Sequence, residues 1–257
     1  MHLFRKLFWI LFSFTLGFSQ FSRAESQASG NDAVTVEDVY SVQLKAYEAS
    51  TAFHMFTLME GDKEVGDSIG DIAREIESLL IRLENSSFLN GHETVLMNGE
   101  TFIKLVQANE YADQGYTSIY AINDMEAALM AFQGELRNVL TSKNINNSET
   151  QILGSAVLVR KISSRYARLA AHWNARTGIL PDKEGDTIDV HAEAVATQFQ
   201  AILQREDLND ETRRSLVQIN KKWRFLTPKL KDYQEQTVPY LVTRYSKSIV
   251  EDLLEII

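Results

Sequence analysis

The side chains with the widest chemical use in this sequence are its histidines, and their spacing does not indicate a metal or catalytic site. His54, His92, His172 and His191 follow His2 along the chain, and none stands in a spacing such as His-Glu-x-x-His. The sequence has no cysteine, which excludes thiol catalysis, disulfides and iron–sulfur clusters. We therefore predict a protein that is not an enzyme, with no catalytic residue, no metal site and no cofactor.

Some of these side chains fit structural roles instead. His191 falls on an apolar helical stripe, which favours a half-buried histidine with one hydrogen-bonded nitrogen over a ligand contact. Met55, Met59 and Met130 lie on predicted helices and are interpreted as core filler, because methionine fills irregular gaps in apolar cores.

Cations are concentrated where the second half of the chain begins. The run 158–167 reads Leu-Val-Arg-Lys-Ile-Ser-Ser-Arg-Tyr-Ala, and it places Arg160 and Arg165 five residues apart. A guanidinium on the seam of a helical bundle can hold an oxyanion through two parallel hydrogen bonds. The alternative is that Arg160, Arg165 and Arg168 are solvated surface charges.

The elements that would position these residues are helices. Apolar residues recur at steps of three and four over about 36–58 and 68–83, and further helices are predicted over 93–111 and 117–140. No stretch alternates apolar and polar residues, so no sheet is expected. Pro228 and Pro239 are expected to kink or interrupt the last two helices.

The two halves of the chain resemble each other at a constant shift of 119 residues. Tyr47 falls on Tyr166 and Gly66 on Gly185, and the apolar stripe of the second helix is carried onto another apolar stripe. We predict an internal duplication giving two tandem antiparallel four-helix bundles, the alternative being two unrelated helical hairpins with similar turns. The predicted divisions are a signal peptide at 1–24, a flexible leader at 25–35, bundles at 36–141 and 150–257, and a linker at 142–149.

The first 24 residues have the features of a secretory signal peptide. Arg5 and Lys6 precede an apolar run, and Ser22-Arg23-Ala24 supplies small residues around a cleavage point. An uncleaved membrane anchor is the alternative, although the run is shorter than the ~20 residues of a spanning helix. The expected location is the periplasm of a Gram-negative-type bacterium or the exterior, with no membrane insertion after cleavage.

The net charge of the chain indicates which classes of binding partner to expect. The chain carries a formal charge of −9, which becomes −12 once the three cations of the signal are removed. An acidic protein gains nothing from counterion release, so nucleic acid is not expected as a partner. A small anion, an envelope or membrane receptor protein, or a second copy in a homodimer stay open.

The run 160–166 resembles the first-helix signature of the type IV pili methyl-accepting chemotaxis transducer N-terminal (PilJ-type) domain, a sensory helical bundle. That signature has the form Arg-Met-Leu-Ser-Gln-Arg followed by an aliphatic or aromatic residue. Arg160, Ser163, Arg165 and Tyr166 fit it, together with Ile162, whereas Lys161 and Ser164 depart from its Met and Gln. The resemblance implies Arg160 as an anion contact and Arg165 as a second one. Such domains usually sit between membrane spans and drive a cytoplasmic signalling module, and this chain is not expected to signal across a membrane alone.

Two functional hypotheses follow. The first is a non-catalytic, sensor-like helical protein that binds a small, anionic ligand or a membrane receptor, with Arg160, Ser163, Arg165 and Tyr166 as ligand-binding residues in an Arg-lined cleft. The second is a structural or scaffolding protein of the cell envelope that acts by protein–protein association, which predicts a large exposed apolar patch instead.

Overall fold

A computed structural model describes residues 34–172, 187–232 and 237–257, and within them the chain is all-helical, as predicted. No strand occurs in these ranges. The predicted signal peptide and most of the leader lie outside the described residues. The helices are α1 (Val36–Leu58), α2 (Lys63–Glu84), α3 (Thr94–Val106), α4 (Tyr111–Gln114), α5 (Ile119–Lys143), α6 (Ser148–Ala171), α7 (Ile188–Leu203), α8 (Asp210–Lys231) and α9 (Pro239–Glu255).

The helices pack in the same order in each half of the chain. In the first half α1 packs against α2 and α5, and α3 packs against α2 and α5. In the second half α6 packs against α7 and α9, and α8 packs against α7 and α9. The most extensive helix contact of all joins the halves, between α1 and α6. A tandem repeat would produce this order, and the duplication itself stays a prediction.

Each half has its own apolar core. Phe53, Phe102 and Phe132 are fully buried in the first, and Phe199 and Trp223 are fully buried in the second. Burial of large aromatic side chains dominates the stability of such cores. Each half therefore has a conventional apolar interior.

Capping residues explain where the helices begin. The second helix starts at Lys63 instead of the predicted 68, because the Asp62 side chain accepts a hydrogen bond from the Val65 amide. Ser118 caps α5 in the same way through the Ala121 amide.

Two other predicted segments differ from the structure. The predicted third helix divides into α3 and the short α4, with a break between Val106 and Tyr111. The predicted linker shortens to residues 144–147, because α5 continues to Lys143 and Asn147 caps α6. The halves are thus joined by a tight turn, in which Asn144 takes a left-handed conformation with φ of 51°.

The prolines affect the helices less than expected. Pro239 is the first residue of α9, where its missing amide hydrogen costs nothing, so the expected interruption there was wrong. Pro228 lies inside α8, which continues only to Lys231. None of the helices within the described ranges is long and apolar enough to cross a membrane.

Candidate functional site

The contact between α1 and α6 is polar, in contrast to the two cores. Arg160, Ser164, Arg168 and His172 follow one another at four-residue steps along α6 and are all buried. Residues four apart share a helix face, so these side chains form one stripe. Together with Glu48, Ser50 and His54 of α1 and Glu126 of α5 they form what we name the polar seam.

Glu126 is the centre of the polar seam. Its Oε1 accepts a hydrogen bond from His54 Nε2 at 2.8 Å and a longer one from the Ser50 hydroxyl at 3.4 Å. Arg168 Nη1 lies 3.7 Å from Oε2 of the same carboxylate. Three helices therefore meet at one buried carboxyl group, since His54 and Ser50 belong to α1 and Arg168 to α6.

Glu126 is held in its anionic form. Burial by itself raises the pKa of a carboxyl group, but the hydrogen bond from His54 and the charges of His54, Arg168 and Arg165 together lower the pKa of Glu126 below its usual value. A buried carboxylate of this kind is stable only while its cationic partners remain.

His172 extends the polar seam away from Glu126. Its Nε2 lies 3.1 Å from His54 Nδ1, so one hydrogen lies between the two rings. Burial, together with the charges of His54 and Arg168, lowers the pKa of His172 to about 3 even though Glu126 acts in the opposite direction. His172 is therefore neutral near pH 7.

The polar seam also brings α1 and α6 close together. The hydroxyls of Ser50 and Ser164 share a hydrogen bond of 2.8 Å, which small side chains alone permit. Toward the start of α6, Arg160 Nη2 lies 3.7 Å from Glu48 Oε1. Burial lowers the pKa of Arg160, and Glu48 and Glu251 offset part of that effect.

The four predicted site residues lie on α6 and do not share one cluster of partners. Arg160 faces Glu48 of α1, whereas Arg165 Nη1 lies 2.9 Å from His191 Nε2 on α7. The Tyr166 hydroxyl accepts a hydrogen bond from the Val238 amide at the start of α9, at 2.9 Å, and Ser163 is fully buried. Arg160 belongs to the polar seam, Arg165 bridges to α7, and Tyr166 fixes α9.

The burial of individual side chains decides several minor predictions from the sequence. The surface-charge alternative was wrong for Arg160 and Arg168, which are only 6% and 7% exposed. The half-buried reading of His191 is confirmed by its contact with Arg165. Core filling holds for Met55, whereas Met59, which follows the end of α1, and Met130 of α5 are 42% and 53% exposed.

Sequence reasoning did not bring His54, Glu126 and His172 together. The signal that could have found them is the four-residue step from Arg160 to His172, which marks a polar stripe along one face of α6. The repeat shift offers a second signal, because His54 shifted by 119 falls one residue after His172. Glu126 has no such signal, since nothing in its local sequence marks it as buried.

No nucleophile elbow is predicted for this chain, yet residues 66–70 read Gly-Asp-Ser-Ile-Gly, and the structure excludes this run as such an elbow. Such an elbow needs a sharp turn between a strand and a helix. Here the run lies within α2, and the Ser68 hydroxyl donates to the Val65 carbonyl.

The chemistry that the polar seam can support is charge and proton binding. Across the described ranges, no group of three or more histidine, cysteine, aspartate or glutamate side chains is arranged to hold a metal ion. The polar seam offers guanidinium donors of the kind that bind small anions, and these lie beside the carboxylates of Glu48 and Glu126.

Comparison with protein-family models, with curated proteins and with solved structures finds no match. The resemblance to the PilJ-type sensory domain therefore stays a prediction carried by residues 160–166 alone.

Proposed function

We propose that this chain is a non-catalytic, sensor-like helical protein of the periplasm or exterior that binds a small anionic ligand at the polar seam. The membrane receptor of the first functional hypothesis would then be the partner that recognises the ligand-bound protein. The resemblance of residues 160–166 to a sensory bundle supports this proposal, and so does the chemistry of the α1–α6 contact.

The observation that carries the proposal is the environment of Arg160. Its guanidinium is buried, its ion pair with Glu48 is long at 3.7 Å, and its Nε atom has no hydrogen-bond partner. A buried guanidinium is costly unless its charge is paired and its donors are satisfied. A small oxyanion would supply the missing acceptor through the fork geometry that arginine offers.

The helix on which Arg160 lies suits a sensor. It contacts α1 across the polar seam and both α7 and α9 within its own half. A ligand that pulled Arg160 away from Glu48 would change the contact between the halves. Such differential binding to two arrangements is what a conformational signal requires.

The experiment is a thermal-shift screen against sulfate, phosphate, nitrate, small carboxylates and amino acids. A ligand present at about 100 times its dissociation constant stabilises the native state by roughly 2.7 kcal/mol, which is measurable as a rise in Tm. We expect at least one anion to raise the Tm. Arg160→Ala should abolish the rise, and Arg160→Lys should reduce it, because lysine keeps the charge and loses the fork.

The matched control is Arg244→Ala, which removes an exposed arginine of α9. Each variant is compared with its own ligand-free Tm, so that a loss of stability is not mistaken for a loss of binding. A flat screen, or a rise that persists in Arg160→Ala, would exclude an anion site at Arg160.

The scaffolding hypothesis remains the alternative, and one observation favours it. Phe225 of α8 is 54% exposed and its ring lies 5.0 Å from the ring of Tyr245 on α9. Exposed aromatic side chains are enriched where proteins associate. A flat ligand screen would leave association as the function to be tested.

A further inference from the structure

A groove of about 390 Å³ runs between α2 and α3 on the outside of the first half. Leu80, Ile81 and Ile103 form its apolar floor, and Ile81 is 52% exposed. Its rim is acidic. We name this surface the acidic groove, with rim residues Glu77, Glu84 and Glu100.

The negative charge of the acidic groove is not neutralised by ion pairs. None of the three rim glutamates makes an ion pair with another side chain in the described part of the chain, and the one cation of the lining is Lys104. Gly99 lets α3 lie close to α2, because a Cβ atom there would come within 2.5 Å of Leu80 Cδ1. The helices are thus packed at depth and separate toward solvent.

The second half presents the opposite charge on α8. This helix carries seven basic and two acidic residues. Its exposed residues recur at steps of three and four, as expected for one face of a helix. We name this surface the basic face, and it consists of Arg214, Val217, Gln218, Lys221, Arg224 and Phe225.

The basic face also has the composition of a docking helix. Val217 is 40% exposed and Phe225 is 54% exposed, so apolar side chains stand between the cations. Arg214 and Arg224 make no ion pair within the described residues. Its cations are therefore available to an acidic partner.

We propose that the basic face of one copy of this chain docks into the acidic groove of a second copy. The lengths agree, because residues 214–225 of α8 and residues 96–106 of α3 each span about 15 to 17 Å of helix. Apolar side chains meet the apolar floor while Arg214, Lys221 and Arg224 meet the glutamates of the rim. This inference does not rest on the proposed anion site.

A second copy is the occupant because the chain carries both complementary surfaces. The contact is heterologous, since two different surfaces meet, and each associated pair still offers one free groove on one copy and one free face on the other. Association of this kind continues into a ring or an open chain. The overall negative charge opposes it, so the local attraction must be strong enough to prevail and must weaken with salt.

The test is the mass of the purified protein in solution, measured by sedimentation velocity over a concentration series. At about 50 mM salt we expect the average mass to rise with concentration above the 29.2 kDa of one chain. At about 500 mM salt it should return toward one chain. A mass of one chain at every concentration in low salt would overturn the proposal.

Charge-reversal variants locate the contact. Glu77→Lys, Glu84→Lys and Glu100→Lys together reverse the groove, and Arg214→Glu, Lys221→Glu and Arg224→Glu together reverse the face. Each set alone should weaken association at least about tenfold. Mixing the two variants should restore association, because the unchanged face of the groove variant meets the unchanged groove of the face variant, and the reversed groove meets the reversed face.

The control reverses three exposed acidic residues outside both surfaces, with Asp113→Lys, Asp124→Lys and Glu255→Lys. It makes the same change in net charge as the groove variant and should leave association in place. Equal loss in the control, or a mixture that does not associate, would contradict the assigned surfaces. Restored association in the mixture also shows that both variants are folded.

Discussion

The cores of the two halves and the polar seam between them hold this molecule together by different physics. Around Phe132 and Trp223 apolar side chains exclude water, and their contribution is roughly proportional to buried area. In the polar seam, Glu126, His54 and Arg168 are equally buried but depend on mutual pairing. A core tolerates the substitution of one apolar side chain by another, whereas the polar seam tolerates few substitutions that change a charge.

The difference shows what each region contributes. Removing one partner from a buried ionic cluster is costly, yet replacing the whole cluster by apolar residues is often neutral or stabilising. The polar seam is thus weak evidence for stability and better suited to fixing how α1 and α6 align. We expect the cores to determine whether the chain folds and the polar seam to determine how the halves meet.

The largest effect should come from a core. Trp223→Ala removes the largest fully buried side chain and its hydrogen bond to the Ala192 carbonyl, and should cost about 3–5 kcal/mol of unfolding free energy. Urea denaturation followed by circular dichroism measures it. Trp223→Phe keeps most of the volume and should cost less. A loss below about 1 kcal/mol for the alanine variant would mean that the second core is loosely packed.

The next effect tests the charge at the centre of the polar seam. Glu126→Gln keeps the size of the side chain but leaves Arg168 and His54 without their anion, and should cost about 2–3 kcal/mol. Asp124→Asn, an exposed change on the same helix, is the matched control and should be neutral. Equal stability of the two variants in urea would show that Glu126 is not a charged partner.

The lowered pKa of His172 predicts that the free energy of unfolding depends on pH. The folded state holds His172 neutral with a pKa of about 3, whereas in the unfolded chain it titrates near 6.5. The stabilisation is therefore complete above pH 6.5 and is lost as the pH falls from 6.5 toward 3, by up to about 1.4 kcal/mol per pH unit. At a pH below the usual pKa of a glutamate, the lowered pKa of Glu126 adds to this loss of stability, because the unfolded chain then binds a proton more readily than the folded one.

The measurement is the unfolding free energy from pH 7 to pH 4.5. His172→Gln should flatten the slope in this range, because glutamine has no proton to gain. His92→Gln, in the loop before α3, is the control and should keep the slope of the original protein. An unchanged slope in the His172 variant would show that His172 is not held neutral.

The smallest effect concerns the hydroxyl pair. Ser164→Ala alone leaves Ser50 without that partner and should cost about 1 kcal/mol, whereas adding Ser50→Ala should cost only the further loss of the long hydrogen bond from Ser50 to Glu126. A double-mutant cycle in urea gives their coupling. Strictly additive losses would mean that the two hydroxyls do not interact.

Much of the fold follows from local sequence alone. Apolar steps of three and four set α1 to within a residue of its observed ends, and the absence of alternating stretches excluded sheets, because both signals depend only on neighbours along the chain. Helix starts were less accurate. Asp62 and Ser118 shift them through single hydrogen bonds that the apolar pattern does not report.

The candidate site divides in the same way. The sequence singled out Arg160, Ser163, Arg165 and Tyr166 because they share one short run, and they do lie on one helix. Their directions were decided by packing, since α6 contacts α1, α7 and α9 on three different faces. Burial of Arg160 and Arg168, which contradicts the surface-charge alternative, follows from the same central position of α6.

Tertiary structure alone brought Glu126 to His54 and His172. Glu126 and His172 lie 72 and 118 positions from His54 along the chain, and no local pattern relates residues so far apart. The composition of the chain determined its acidic, cysteine-free character, and the spacing of its apolar residues determined that it is helical. Which polar side chains would share one buried space was decided only when the first helices of the two halves packed together.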